Sequence, residues 1–208
     1  MPKKKPAVTI DGNTISGTAE SINELLNKAT EAINKPYLIT SASIKEELCN
    51  YSYEINTGLC AGDKVTRKGS AIVHHDMLEA FTQLDCHLAN LDDAFTSLAI
   101  KPNSLDEMMG HDLTHNFTVT GFKVQGTDEN EGFVLIGDKW VSHGTIGLET
   151  PKISKSSAYA YFDELKEAIE KCRYEVEQYM NGKAVPKTEQ GELPFPDKAE
   201  DTDFDNPM

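Results

Sequence analysis

A short basic segment follows two closely spaced tyrosines in an otherwise acidic chain. Residues 62–69 read GDKVTRKG and contribute Lys64, Arg67 and Lys68 between two glycines. Tyr51 and Tyr53 precede the segment and share one face of a predicted strand, since they are two residues apart. Cations bind phosphates, while aromatic rings stack on bases. The segment therefore predicts a nucleic-acid contact, with simple packing of the tyrosines as the alternative.

Three residues further along the chain can extend this candidate interface. Lys123, Lys139 and Trp140 lie in a stretch whose alternating apolar and polar residues predict a β-sheet. If that sheet continues the strand of the two tyrosines, its cations and its indole ring would enlarge the same surface. Burial of Trp140 in the core would remove it from the interface.

The histidines support a weaker metal hypothesis. His111 and His115 are four residues apart, and His143 follows in the predicted sheet. No HExxH pattern is present, and no spacing fixes a third ligand, as a zinc site would require. Ordinary polar histidines are the simpler interpretation, so we expect no metal.

The remaining polar clusters do not form a recognisable catalytic set. Residues 74–76 (HHD) and 85–87 (DCH) lie on a predicted helix, where consecutive residues point in different directions. The pair Asp92 and Asp93 lies on the predicted wet face of that helix. Neither a GxSxG nor a GK[ST] pattern occurs. We therefore expect neither an enzyme nor a cofactor.

Composition limits the class of protein. The chain has 208 residues, a net charge of −14 and a pI near 4.8, which suits one domain with a tail and argues against coating of nucleic acid by overall charge. Residues 185–208 carry a net charge of −5, so the rest of the chain keeps −9. Any nucleic-acid site must therefore be a local basic patch.

The four cysteines and the hydropathy indicate a reducing compartment. No CxxC pair occurs, no apolar segment precedes the domain, and no window approaches eighteen apolar residues. We expect a cytoplasmic protein with no membrane contact.

The candidate residues must be positioned by a sheet and its covering helices. Residues 113–151 read as an antiparallel meander with a glycine bulge at Gly121 and a tight turn at residues 137–139. Before it, residues 8–15 predict a hairpin, residues 37–44 and 48–55 predict strands, and Thr18 or Ser21 can start a helix that runs to about Asn34.

Two longer helices should cover this sheet. One spans about 70–98, with an apolar stripe formed by Val73, Met77, Phe81, Leu84, Leu88, Leu91 and Phe95. Its wet side would carry Asp76, Glu79, Gln83, His87 and Asn90. The other begins at Ser154 or Ser156 and ends near Asn181, with a stripe formed by Tyr161, Leu165, Ala168, Cys172, Val176 and Tyr179.

This order predicts an α+β fold, an antiparallel sheet meander packed with about three helices. The domain would span 8–182, after a basic N-terminal tip at 1–7. Residues 183–208 are acidic, contain several prolines and lack periodic apolar residues, which predicts a disordered tail.

The tail contains two short segments that resemble known interaction peptides. Residues 190–195, QGELPF, resemble the QxxLxF peptide by which bacterial replication proteins bind the sliding clamp, which would place Gln190, Leu193 and Phe195 in its pockets. Residues 201–208, DTDFDNPM, resemble the acidic tip of bacterial and phage single-stranded-DNA-binding proteins, although Met208 replaces the usual final Phe. That resemblance implies partner contacts by Asp203, Phe204, Asp205, Pro207 and Met208. A purely solubilising tail is the alternative.

Most of the chain also resembles uncharacterised proteins of phages and prophages of gut Bacteroidota. The similarity lies in GFKVQGTDENEGFVLIG, in the Tyr-rich last helix and in GK followed by QxxLPF. It implies a viral or prophage origin and carries no established activity.

Two function hypotheses follow from these features. The first is a phage DNA-replication or recombination accessory that binds single-stranded DNA through the basic segment, recruits replication or recombination proteins through its tail, and can form homo-oligomers. The second is a non-enzymatic acidic interaction module, for instance a phage inhibitor of a host DNA-binding or defence protein, because the domain itself keeps a charge of −9.

Overall fold

The computed structural model describes residues 7–10, 13–16, 35–127 and 130–186, and it has an α+β fold. Its main sheet is antiparallel, with the strand order β5-β4-β3-β6-β7-β8, and β9 pairs with β7. A separate hairpin is formed by β1 and β2. The strands span Ala7–Ile10 (β1), Asn13–Ser16 (β2), Tyr37–Lys45 (β3), Leu48–Ile55 (β4), Lys64–Ile72 (β5), Phe117–Gln125 (β6), Gly132–Val141 (β7), Gly144–Glu149 (β8) and Ile153–Ser154 (β9).

The described helices pack against one face of the main sheet. They span His75–Thr82 (α1), Asp85–Leu91 (α2), Ala94–Ser97 (α3), Leu105–Met109 (α4) and Phe162–Met180 (α5), with 3-10 turns at Thr114–Asn116 and Lys155–Ser157. The core lies between this layer and the sheet. Its largest fully buried side chains include Met77, Phe95, Phe122, Phe133, Leu135, Leu165 and Ile169.

Two β-bulges in the sheet are held by ionisable side chains from the helices. The pairing of β6 with β7 shifts between Val119 and Gly121, which confirms the predicted bulge, and Val119 N donates to Asp85 Oδ1 at 2.6 Å. The pairing of β3 with β4 shifts between Ile39 and Ser41. There, Nε of the buried Arg173 donates to the Ile39 carbonyl at 3.1 Å. Each bulge thus gains a partner for a backbone group near the break in its ladder.

The hairpin at residues 8–15 and the strands at 37–44 and 48–55 are confirmed, and the stripe of the last helix is buried from Leu165 to Tyr179. That helix begins at Phe162, because Ser154 instead caps the 3-10 turn that precedes it. The helix predicted from residue 18 to residue 34, the tip and the tail from residue 187 lie outside the described residues.

The predicted helix over 70–98 is wrong in its continuity. Its first residues, 70–72, belong to β5, and three short helices follow in place of one. The second and third are separated at Asp93, whose φ of 56° lies in the left-handed region. The apolar stripe is nevertheless buried, apart from the half-buried Leu91. His87, expected on the wet side, is fully buried, and so are Cys86, Leu88 and Ala89, so this short helix is enclosed by the core on more than one side.

The tight turn expected at residues 137–139 is also wrong. Strand β7 runs unbroken through these residues, and the chain turns at residues 142–143. Gly137 serves close packing instead, since a Cβ there would lie 2.7 Å from Leu88 Cδ2. The glycine before Asp138 thus marked a helix contact rather than a turn.

The packed chain extends slightly past the predicted domain boundary. Lys183 Nζ lies 2.5 Å from Asp76 and 2.7 Å from Glu175, Ala184 forms a bridge with Val73, and Val185 N donates to the Ile72 carbonyl.

Candidate nucleic-acid interface

Three tyrosine rings form a row on the helix-covered face of β3 and β4. The ring centroids of Tyr37 and Tyr53 are 5.6 Å apart, and those of Tyr53 and Tyr51 are 6.4 Å apart with an interplanar angle of 23°. All three side chains are half-buried. Tyr51 and Tyr53 therefore share a face as predicted, and Tyr37 adds a third ring that the sequence did not reveal. The alternation within β4 gave the pair, but the cross-strand register needed for Tyr37 has no local signal.

The last helix fixes one end of this row. Tyr179 of α5 packs edge-on against Tyr51, with centroids 6.2 Å apart and planes at 84°. Tyr179 Oη donates to the Ala71 carbonyl at 2.7 Å and accepts from Ala71 N at 3.2 Å. These bonds anchor Tyr179 to β5, so Tyr51 rests on a fixed partner. Burial raises the pKa of Tyr51, against an opposing effect of the nearby Arg67, and the phenol stays neutral at neutral pH.

Arg67 is the cation closest in register to the tyrosine row. It lies directly opposite Tyr51 in the pairing of β4 with β5, so both side chains are on the same face of the sheet. Arg67 is exposed, and among the described residues it forms no ion pair. A guanidinium beside aromatic rings can bind a phosphate while the rings contact bases.

Lys64 and Lys68 lie on the opposite face of the same strand. Lys68 is opposite Asn50 and Lys64 opposite Glu54, and both lysines are exposed. Lys64 Nζ is 3.9 Å from a Glu54 carboxylate oxygen, and an exposed ion pair at this distance is weak. The predicted basic loop is thus an edge strand, because the alternation of its side chains continues the ladder of β4. This strand carries cations on both of its faces.

The structure separates the other predicted cations from this edge. Lys123 lies on β6 and is paired with Glu149 at 2.8 Å. Lys139 is paired with Asp92 and lies 5.2 Å above the centroid of the Phe117 ring. Both charges are thus compensated within the fold, since each ammonium already has a carboxylate partner.

Trp140 is exposed, but it belongs to another region of the surface. It lies at the end of β7, beside the turn to β8, and 60% of its surface is accessible. Four strand spacings, or roughly 19 Å, separate β7 from β5 in the sheet. The predicted interface is therefore reduced to the β4–β5 edge, with Tyr51, Tyr53, Lys64, Arg67 and Lys68.

The histidines of the metal hypothesis do not converge. His111 packs edge-on against Phe95 with centroids 5.5 Å apart, and its Nδ1 accepts from Leu113 N, while His115 and His143 are exposed. In the described part of the chain, the one set of three side chains with close ligand atoms consists of the surface residues at 75, 76 and 79.

The side chains of residues 85–87 diverge, as expected from their places on a helix. Asp85 reaches the bulge of β6, the thiol of Cys86 donates to the Gln83 carbonyl, and His87 Nδ1 lies 2.9 Å from Tyr159 Oη. Burial raises the pKa of Asp85 to about 7 and lowers that of His87 to about 4. His87 Nε2 is buried, and no hydrogen-bond partner for it lies in the described part of the chain. Asp85 thus holds the bulge of β6, while Cys86 and His87 lie in the core.

An acidic groove lies between α1 and α5, and the sequence did not single it out. Its volume is about 470 Å³. Its acidic lining residues are Asp76, Glu79, Glu167, Glu170 and Glu175. They come from two segments about ninety residues apart in the chain, and only the packing of α1 on α5 brings them together.

Two findings bear on partners beyond this geometry. Among the described helices, none is both long enough and apolar enough to cross a membrane. Compared with protein families, curated proteins and solved structures, the chain has no significant match.

Proposed function

We propose that this protein binds single-stranded DNA along the β4–β5 edge, as an accessory of phage DNA replication or recombination. The observation that supports the proposal is the row of Tyr37, Tyr53 and Tyr51 beside an exposed arginine that has no ion-pair partner among the described residues. Rings and a free cation are the two groups that a single-strand site requires.

The spacing of the rings favours an extended strand. Neighbouring tyrosine centroids are 5.6 and 6.4 Å apart, whereas successive phosphates of a B-form strand advance by about 3.4 Å along the axis. Bases would therefore contact the rings one by one rather than as a continuous helical stack. Such contacts depend on the π-face that every base has, so binding would tolerate any sequence.

The cations of β5 would hold the phosphates. Arg67 projects on the tyrosine side, and Lys64 and Lys68 project on the other side of the same strand. A backbone that crosses this edge meets positive charge on either face, even though the whole chain carries −14. Binding would weaken as salt rises, since phosphate contacts release counterions.

The test is fluorescence anisotropy with a labelled oligothymidylate and three full-length variants. Tyr53→Leu keeps apolar bulk but removes a stacking ring, and Arg67→Ala removes the central cation. Each should weaken binding by about 1–3 kcal/mol, or about 5- to 150-fold. Lys101→Ala, an exposed cation in the loop before α4, is the matched control and should bind as the wild type does. Wild-type protein that does not bind, or two site variants that bind normally, would reject the proposal.

The tail would recruit replication or recombination proteins. The support here is the sequence alone, namely the clamp-like segment with Leu193 and Phe195 and the acidic tip that ends in Met208. Calorimetry of the full chain with a bacterial sliding clamp should show binding that Phe195→Ala abolishes. Equal binding by that variant would remove the clamp from the list of partners.

The acidic groove supports a second candidate, an interaction module for a basic protein. Five carboxylates line it, among them Glu79 and Glu167, which are exposed. Under this candidate an Arg-rich peptide should bind in a salt-sensitive way, the double variant Glu79→Lys/Glu167→Lys should lose that binding, and no oligonucleotide should bind. An oligonucleotide that binds without any peptide binding favours the first function.

A further inference from the structure

The main sheet ends in two edge strands of opposite character. Strand β5 carries three bases, and charges of this kind discourage pairing with another chain. Strand β8, GTIGLE, carries one ionisable side chain, that of Glu149, which is paired with Lys123. Five of its six residues are exposed. Strand β8 is therefore the edge that lacks the usual protection against strand pairing.

The free backbone groups of β8 can be identified from its pairing with β7. A two-residue turn at 142–143 joins the paired residues Val141 and Gly144, and at the other end Thr150 N donates to the Leu135 carbonyl. Hydrogen-bonded and non-bonded pairs alternate along an antiparallel ladder. Every second residue of β8 therefore directs its N–H and C=O away from β7. These residues are Thr145, Gly147 and Glu149.

Apolar side chains surround this edge. Trp140, Val141 and Ile146 are 60%, 40% and 50% exposed, and all three belong to the β7–β8 hairpin. Within the described residues, no other strand pairs with the outer side of β8. An exposed, nearly uncharged strand with apolar neighbours is a typical site for the addition of another strand.

We infer that β8 pairs antiparallel with β8 of a second copy of this chain, which makes the two sheets continuous across a two-fold axis. The register that centres on Gly147 places this residue opposite its own copy. Thr145 then lies opposite Glu149, and Ile146 lies opposite Leu148 on the other face. Two-fold symmetry makes each contact occur twice.

This register suits a second copy of the chain for three reasons. All three outward-facing residues are paired at once, which gives about six main-chain hydrogen bonds. The apolar Ile146 and Leu148 cover each other, so the apolar face of the edge is partly removed from water. The two Glu149 carboxylates never lie opposite each other, because each faces a threonine.

The dimer should be weak and should become stronger with salt. A single pair of six-residue strands is a small interface, at the low end of specific association. Each copy also carries −14, so the copies repel each other at a distance, and salt screens this repulsion. Added salt would weaken the binding of DNA but strengthen the dimer, so dimerisation and DNA binding can be separated by their opposite dependence on salt. The inference does not depend on the proposed function.

Sedimentation equilibrium of the full chain without DNA tests the dimer. The average mass should rise with concentration from 23.0 kDa toward twice that value, and added salt should raise it further. Gly147→Pro removes an outward N–H that β7 does not use, and Ile146→Lys places a charge in the apolar contact. Both variants should stay monomeric, with circular dichroism spectra like that of the wild type.

The matched control is Leu59→Lys, which makes the same charge change at a fully exposed leucine between β4 and β5. It should dimerise as the wild type does. Three results would overturn the inference: a wild-type protein that stays monomeric at every concentration and salt, a dimer that both β8 variants preserve, or equal loss of the dimer in the Leu59→Lys control.

Discussion

Replacement of Asp85 by asparagine should stabilise the protein at neutral pH. Asp85 begins α2 and accepts a 2.6 Å hydrogen bond from Val119 N at the bulge of β6. An asparagine side-chain carbonyl can accept the same bond, so the fold keeps this contact. Only the ionisation of the side chain is removed.

The magnitude follows from the pKa of this carboxyl group. Burial raises it from 3.8 to about 7, against the opposing effect of the Val119 hydrogen bond. The folded state therefore keeps its proton where the unfolded state has lost it, so stability is full below pH 3.8 and is lost as pH rises toward 7. The shift corresponds to about 4 kcal/mol, which partial access of water to the carboxyl reduces to about 2–3 kcal/mol.

Urea denaturation of the wild type and of Asp85→Asn across pH 4 to 8 measures this difference. The variant should match the wild type near pH 4 and exceed its free energy of unfolding by about 2–3 kcal/mol at pH 8. Other titrating groups cancel, since the two proteins are compared at each pH. Asp63→Asn, in an exposed turn, is the control and should show no such trend. A difference that is constant with pH, or a variant less stable at pH 8, would refute the reasoning.

Two further substitutions test the packing beside the tyrosine row and the buried histidine. Gly69→Ala places a Cβ against the Cys49 carbonyl and Tyr179 Oη, and should lower the free energy of unfolding by about 1–3 kcal/mol in urea denaturation. The control Gly110→Ala should not, because its Cβ would lie 3.6 Å from the Asp106 carbonyl oxygen, an ordinary van der Waals distance. Burial lowers the pKa of His87 from 6.5 to about 4. The free energy of unfolding of the wild type should therefore fall by up to about 3 kcal/mol between pH 6.5 and pH 4, and His87→Gln should lack this loss. If both proteins lose stability in parallel over this pH range, burial of a neutral His87 is contradicted.

Sequence patterns predicted the elements of this fold better than their connections. The alternation in residues 48–55 and 117–125 gave strands, and the Gly121 bulge followed from a change of phase. The stripe from Met77 to Phe95 predicted burial, but it could not distinguish one long helix from three short helices. The spacing of apolar residues within a helix is the same whether or not the helix axis later changes direction. The break at Asp93, in contrast, depends on tertiary packing.

The candidate site was predicted in its residue types and only in part in its geometry. Tyr51 and Tyr53 are two residues apart on one strand, and this local spacing was sufficient to predict that they share a face. The contacts of Tyr37 and Tyr179 join segments far apart in the chain and depend on register and helix docking. The pairing of Lys139 with Asp92 likewise has no signal in the sequence, because the two residues meet only through the fold.

The salt dependence of oligothymidylate binding tests the central claim most directly. Affinities of the wild type and of Arg67→Ala/Lys68→Ala would be measured by anisotropy over a series of salt concentrations. If these two side chains contact phosphates, the double variant should bind more weakly, and its slope of log K against log salt should be less steep by about 1.4. Parallel slopes with equal affinities, or no binding by the wild type, would contradict a single-strand site on the β4–β5 edge.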